Sequence, residues 1–97
     1  MIQIDGVTDI YFNSQNTFIS DINYHFKRNF KQYQILEHQS HCDQHQMKIK
    51  FSLRMQEKYQ CKTLLDYNSY AYDELKKRLP SKVKTTYIQT ISINPVA

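Results

Sequence analysis

Glycine is almost missing from this 97-residue chain, Gly6 being the only one. Loops that cradle a nucleotide phosphate need glycine so that the backbone can approach the ligand, so no Walker-type or dinucleotide-binding loop can be built here. Proline is nearly as scarce, at Pro80 and Pro95, and tryptophan is absent. No internal repeat, low-complexity tract or linker composition divides the chain, and a single domain over residues 1–97 is expected. Only Cys42 and Cys61 supply thiols. Without an export signal they are expected as free thiols in a reducing compartment rather than as a disulfide. The stretch Met1 to Ile10 carries Asp5 and Asp9 and no long apolar run. It reads as neither signal peptide nor membrane anchor, so a cytoplasmic chain with no membrane association is the expectation.

What the chain does have is aromatic and branched surface. Apolar residues make up 40% of it, including eight tyrosines and five phenylalanines, which argues against disorder because such surface offsets the entropy of ordering the backbone. Thirteen Lys and Arg stand against nine Asp and Glu, a formal charge of +4 that leans toward anionic partners without demanding them.

The most informative pattern runs from Met47 to Met55. Met47, Ile49, Phe51, Leu53 and Met55 alternate with Lys48, Lys50, Ser52 and Arg54. Successive side chains of a β-strand point to opposite sides, so this period of two predicts a strand with an apolar flank in the core and a basic flank outside.

Around it the spacing predicts the other elements. Ile2 to Phe12 reads as an extended segment with a bulge or turn at Gly6, and Asn13 to Asn16 as a turn. From Phe18 the apolar spacing becomes three and four: Phe18, Ile19, Ile22, Phe26, Phe30 and Tyr33 form the stripe of an amphipathic helix, capped by Asn16 or Thr17. Lys27, Arg28 and Lys31 lie on its outer surface. Tyr33 to His38 reads as a short strand and Gln39 to Gln46 as a polar connection. A turn over Gln56 to Lys58 and a further strand over Tyr59 to Leu64 are expected, because one strand from Met47 to Leu65 would be far too long. A second helix, capped by Asp66 or Asn68, runs through Ala71, Leu75 and Leu79 to a stop at Pro80, with Asp73–Lys77 and Glu74–Arg78 four apart. Thr85 to Ile93 closes the chain as a strand.

The expected fold class is therefore α+β, a two-layer sandwich. Two helices pack on one face of a mostly antiparallel sheet of four or five strands, in the order β-α-β-β-(β)-α-β. That layout resembles ferredoxin-like folds. With a separate strand over Tyr59 to Leu64 the middle of the chain resembles instead the helix, three strands, helix order of double-stranded RNA-binding domains.

Three constellations carry chemistry. His38, His41, Cys42 and His45 gather four donors of the kind zinc prefers, and they are the candidate metal ligands; otherwise no cofactor is expected. They lie on one polar segment, whereas structural zinc sites draw ligand pairs from separated segments. Lys48, Lys50 and Arg54, with Lys27, Arg28 and Lys31, are the candidate nucleic-acid contacts. Tyr11 and Tyr87 would offer stacking surfaces if they share the open face of the sheet. Ile10-Tyr11-Phe12 resembles the first-strand motif of RNA-recognition domains, whose middle aromatic faces out. The central strand departs from that family, with Lys48, Lys50 and Ser52 where it carries exposed aromatics. Tyr67, Tyr70 and Tyr72 cluster at the start of the second helix, and three rings within six residues cannot all face inward, which marks a candidate partner-binding patch.

No catalytic arrangement emerges. His41, Cys42 and Asp43 are adjacent, and neighbours in an extended segment point apart. Neither an enzyme nor a small-molecule substrate is expected. The leading expectation is a small binding module that contacts a protein partner or a second copy of itself. Short chains rich in Asn, Gln and Lys match in composition the accessory, inhibitory or assembly proteins of phages and mobile elements, such as an inhibitor of a nucleic-acid-handling complex. The alternative is direct RNA or DNA binding by the basic outer face of the sheet.

Overall fold

The perfect alternation of Met47 to Met55 has the consequence expected of it. In a computed structural model, which describes residues 1–56 and 61–95, Met47, Ile49, Phe51, Leu53 and Met55 are each at most 2% exposed, while Lys50 and Arg54 stand in solvent. The elements in chain order are β1 (Ile2–Asn13), α1 (Ile19–Asn29), β2 (Gln32–His41), β3 (Gln44–Met55), α2 (Leu64–Arg78) and β4 (Lys84–Pro95). The strands form one antiparallel sheet in the order β2-β3-β1-β4. Strands separated by a helix in sequence thus flank a third strand between them, the split βαβ arrangement of ferredoxin-like folds.

Both helices lie on one side of the sheet, because a single buried cluster joins Ile22 and Phe26 of α1 and Ala71 and Leu75 of α2 to the inward flanks of β1 and β3. α1 lies against β2, and α2 lies against β4. Phe26 stacks on Phe30 at 4.8 Å, and Phe30 meets Phe51 edge-on at 5.7 Å. Such aromatic pairs add about 0.5–1.5 kcal/mol beyond their buried area. The helix ends meet at Arg78, whose guanidinium donates to the Asn29 carbonyl at 2.7 Å, pairs with Glu74 at 3.0 Å and lies over the Phe30 ring. Arg78, in the last turn of α2, therefore ties the two helices together.

Several local expectations are corrected. The bulge expected at Gly6 does fall at that step, with the extra residue on the neighbouring strand: β1 is continuous, and the register shift between Asp5 and Gly6 leaves Ile91 of β4 unpaired in register. Gly6 also serves close approach. A Cβ there would stand 2.9 Å from Phe51 Cζ and 2.9 Å from the Gln89 carbonyl oxygen, so the lone glycine makes room for the central aromatic of the core.

α1 begins later than its apolar stripe suggests. Phe18 is the N-cap, 69% exposed, and Ile19 is 38% exposed. Asn16 and Thr17 instead close a turn by donating backbone N–H to the Asn13 carbonyl, and the Asp21 carboxylate accepts from the Phe18 N–H. Tyr33 belongs to β2, where it packs on Phe26 at 5.5 Å.

The cap of α2 is Thr63, in a reciprocal box with Asp66: Thr63 Oγ1 accepts from the Asp66 N–H, and the Asp66 carboxylate accepts from the Lys62 and Thr63 N–H groups. Those backbone donors, Lys62 first, hold the Asp66 carboxyl below its ordinary value. Asn68 turns to β4, where it accepts from the Thr90 backbone N–H at 2.8 Å.

The fifth strand expected over Tyr59 to Leu64 falls partly outside the described residues, as does most of the turn over Gln56 to Lys58. In the described part, Cys61 and Lys62 are not strand and Leu64 opens α2. The layout resembling double-stranded RNA-binding domains is thus replaced by the four-stranded one.

Finally, the polar connection expected over Gln39 to Gln46 is mostly strand. β2 continues to His41, β3 begins at Gln44, and only Cys42 and Asp43 turn. Asp43 pins this tip, its carbonyl accepting from the Ser14 N–H at 2.8 Å and its carboxylate from the Gln15 side chain at 2.7 Å. Polarity marked solvent exposure there, and ladder hydrogen bonds on both sides of a short turn satisfy the backbone regardless.

Candidate functional site

The face of the sheet turned away from the helices is open, and its composition follows from register. Asp5, Val7, Asp9 and Tyr11 of β1 stand opposite Ser52, Lys50, Lys48 and Gln46 of β3 on one side. On the other side they stand opposite Ser92, Gln89, Tyr87 and Lys84 of β4. Tyr11 (38% exposed) and Tyr87 (48% exposed) therefore occupy neighbouring diagonal positions on the same open face. Tyr87 donates its hydroxyl to Gln89 Oε1 at 2.8 Å, which fixes the ring.

Acids divide this face. Asp5 accepts from Ser52 Oγ at 2.6 Å, from Ser92 Oγ at 2.9 Å and from Gln3 Nε2 at 3.0 Å. Burial pushes its carboxyl up, yet the hydrogen bonds from Ser52, Gln3 and Ser92 and the charge of Lys50 outweigh that push and leave it below its ordinary value. It stays ionised and committed to the sheet. Asp9 stands opposite Lys48, which also has Glu37 of β2 as its register partner, so Lys48 has an acid on each side. One Asp9 carboxylate oxygen, Oδ1, is buried with no hydrogen-bond partner among the described residues.

Positive charge collects instead at one corner. Lys27 at the end of α1, Lys31 before β2 and Lys50 of β3 line a cavity of about 480 Å³ together with Phe30, Tyr33 and Phe51. Gln32, Gln34 and Ser52 complete the lining, and among the described residues no carboxylate belongs to it. Cations grouped in a partly walled cavity raise the local potential more than the same cations spread on a flat surface, because low-dielectric walls focus the field. The arrangement can hold an anionic group beside the half-buried Tyr33 ring.

The remaining basic residues lie elsewhere. Arg28 is bound on its own helix, donating to the Tyr24 hydroxyl at 3.0 Å with its guanidinium over that ring. Arg54 lines a second cavity, of about 270 Å³, with Tyr70, Glu74 and Arg78. Of the six basic residues singled out from the sequence, three converge. The aromatic lining by Phe30 and Tyr33 was missed, since both read as core residues. The signal available was that the last two aromatics of the stripe, Phe30 and Tyr33, flank Lys31.

The tyrosines of α2 divide. Tyr67 and Tyr70 are half-buried, Tyr70 against the core, and only Tyr72 is exposed, with the Lys76 ammonium over its ring. The first turn of α2 presents apolar surface that sequence reasoning had passed over, Leu64 at 60% and Leu65 at 74% exposure.

The four candidate metal ligands also divide. His38 and His45 are diagonal neighbours on the inward flank of the β2–β3 hairpin, His41 alternates to the other flank opposite Gln44, and Cys42 occupies the turn with φ of 54°. His38 Nε2 and His45 Nδ1 lie 2.9 Å apart, and His45 stacks on Phe12 at 4.9 Å with the rings nearly parallel. Among the described residues no group of three or more His, Cys, Asp or Glu side chains converges as a metal cage. Cys61 lies far along the chain from this tip, and burial, followed by the charge of Asp66, pushes its thiol up. No helix among the described residues is long and apolar enough to cross a membrane.

No protein-family model matches this chain, and neither a curated protein nor a solved structure matches it.

Proposed function

We propose that the chain is a non-catalytic module that binds single-stranded nucleic acid at the basic corner of its sheet. The observation that carries the reading is the convergence of Lys27, Lys31 and Lys50 on one cavity beside Tyr33, with no carboxylate in its lining among the described residues. Phosphates meet the lysines, and from there the strand runs onto the open face, where Tyr11 and Tyr87 are exposed for stacking. Stacking on aromatic side chains tolerates every base, so little sequence preference is expected. Lys48, set between Asp9 and Glu37, contributes less than its position on the strand suggests.

The test is fluorescence anisotropy with labelled single-stranded RNA and DNA at graded salt. Three engaged phosphates give a logarithmic salt slope near −2, so raising salt from about 50 to 200 mM weakens binding about 20-fold. Replacing Lys27, Lys31 and Lys50 together by Ala abolishes that slope while leaving the circular dichroism spectrum unchanged. An absence of binding at low salt ends this reading.

A second reading is favoured by the apolar first turn of α2. Leu64 and Leu65, with Tyr72 further along the helix, present surface to a protein partner or a second copy of the chain. Because Tyr70 packs on the core, the informative variant is Leu65→Ser with Tyr72→Ala. On this reading the variant leaves the fold intact and lowers the sedimentation coefficient or pull-down yield, and unchanged association counts against it.

A further inference from the structure

We infer that His38 and His45 form a two-imidazole clamp for a late first-row divalent cation that prefers right-angled ligands, such as nickel(II) or copper(II). The clamp is independent of the nucleic-acid reading. It rests on the juxtaposition of the two ring nitrogens, His38 Nε2 and His45 Nδ1, at 2.9 Å.

Metal–imidazole bonds are about 2.0–2.1 Å long, so two nitrogens bound at a right angle to one ion stand about 2.9 Å apart, whereas a tetrahedral ion spreads them to about 3.3 Å. The observed spacing is that of the N–H···N hydrogen bond the rings share, and it accommodates the right-angled bite without the two strands moving apart. Without a metal, one nitrogen donates its proton to the other; on metal binding the donor ring carries its proton on its other nitrogen instead, and both lone pairs tilt off the line between the rings onto the ion. Water fills the remaining positions, consistent with the absence of a third converging ligand among the described residues.

The pair is preorganised by the fold. The pairings Ile35 with Ile49 and Glu37 with Lys48 leave Leu36 as an extra residue in β2. This bulge reverses the alternation, so that His38 and Ser40, rather than Glu37 and Gln39, share the flank of Met47 and His45. His45 is then held flat on Phe12, its ladder partner, while the exposed His38 ring lies at 5.1 Å. A metal bound there crosslinks β2 to β3 next to the turn.

Isothermal titration of the full chain with nickel(II) tests the inference. One equivalent binds, and His38→Ala and His45→Gln each weaken it about 100-fold, because losing one imidazole removes the effective concentration of the second. His41→Ala and Cys42→Gly leave the affinity unchanged. His38 is exposed, so its variant keeps the fold and decides the matter even if His45→Gln disturbs the Phe12 stack. The inference is overturned if the unaltered chain takes up no nickel, if His38→Ala binds as well as the parent, if removing His41 or Cys42 costs as much as removing His38, or if zinc binds more tightly than nickel.

Discussion

The two flanks of β3 come from alternate residues of one segment, yet they are held by different physics. Inward, Phe51 is sealed by Phe30 above Gly6, and its contribution comes from removing apolar surface from water and filling space at high density. Outward, one residue along, Ser52 donates to Asp5 in a polar network that Ser92 and Gln3 complete, and Lys50 is exposed at the rim of the basic cavity. The inward flank tolerates almost no change of volume. The outward flank tolerates change except where a hydrogen bond is committed.

The contrast can be broken most forcefully at its centre. Phe51→Ala is expected to cost about 3–5 kcal/mol of unfolding free energy in urea titration, the range for a large aromatic lost from a packed core. A loss under about 1 kcal/mol would mean that the inward flank is not the core. Gly6→Ala probes the same place from below: the new methyl group meets Phe51 and the Gln89 carbonyl, and the overpacking costs about 1–3 kcal/mol. Combining it with Phe51→Leu recovers part of that loss, since only one of the two obstructing atoms belongs to backbone.

The outward flank is sharpened by acid. The Asp5 carboxyl is lower in the folded chain than its ordinary value, so the stability it supplies is complete above the unfolded pKa of about 3.9 and is lost as pH falls through the folded value. Asp5→Asn is expected to lower stability at neutral pH by about 1–2 kcal/mol, from lost hydrogen bonds to a charged group, and to flatten the acid limb of the pH–stability curve. A variant whose acid limb is as steep as the parent's would assign that limb to other carboxylates, Asp66 among them.

The smallest expected effect has the opposite sign. Cys42 holds φ of 54° at the hairpin tip, a conformation that glycine adopts without steric cost, so Cys42→Gly raises stability by about 0.5–1 kcal/mol, read as a shift in urea midpoint.

Alternation made the central strand and its two flanks legible, and helical spacing found Ile22, Phe26, Ala71, Leu75 and Leu79, all buried in the common core. The caps were misplaced by a few residues because several Asn, Asp, Ser and Thr side chains could each have served. Asn68 was drawn to the Thr90 N–H of a distant strand, a competition that local sequence does not show. For the basic surface, residue types were legible and grouping was not. Lys27 and Lys31 read as the outside of a helix and Lys50 as the outside of a strand, and only the packing of α1 beside β2 brings them to one cavity.

By itself, the order of amino acids determined that a two-sided sheet lies beneath two amphipathic helices, because side-chain periods of two and of 3.6 residues sort oily from polar groups before any long-range contact forms. Tertiary structure alone decided which polar groups meet. One extra residue at Leu36 inverts the parity of β2 and turns His38 toward His45. A bulge is settled by how two strands pair, and nothing within either strand announces it.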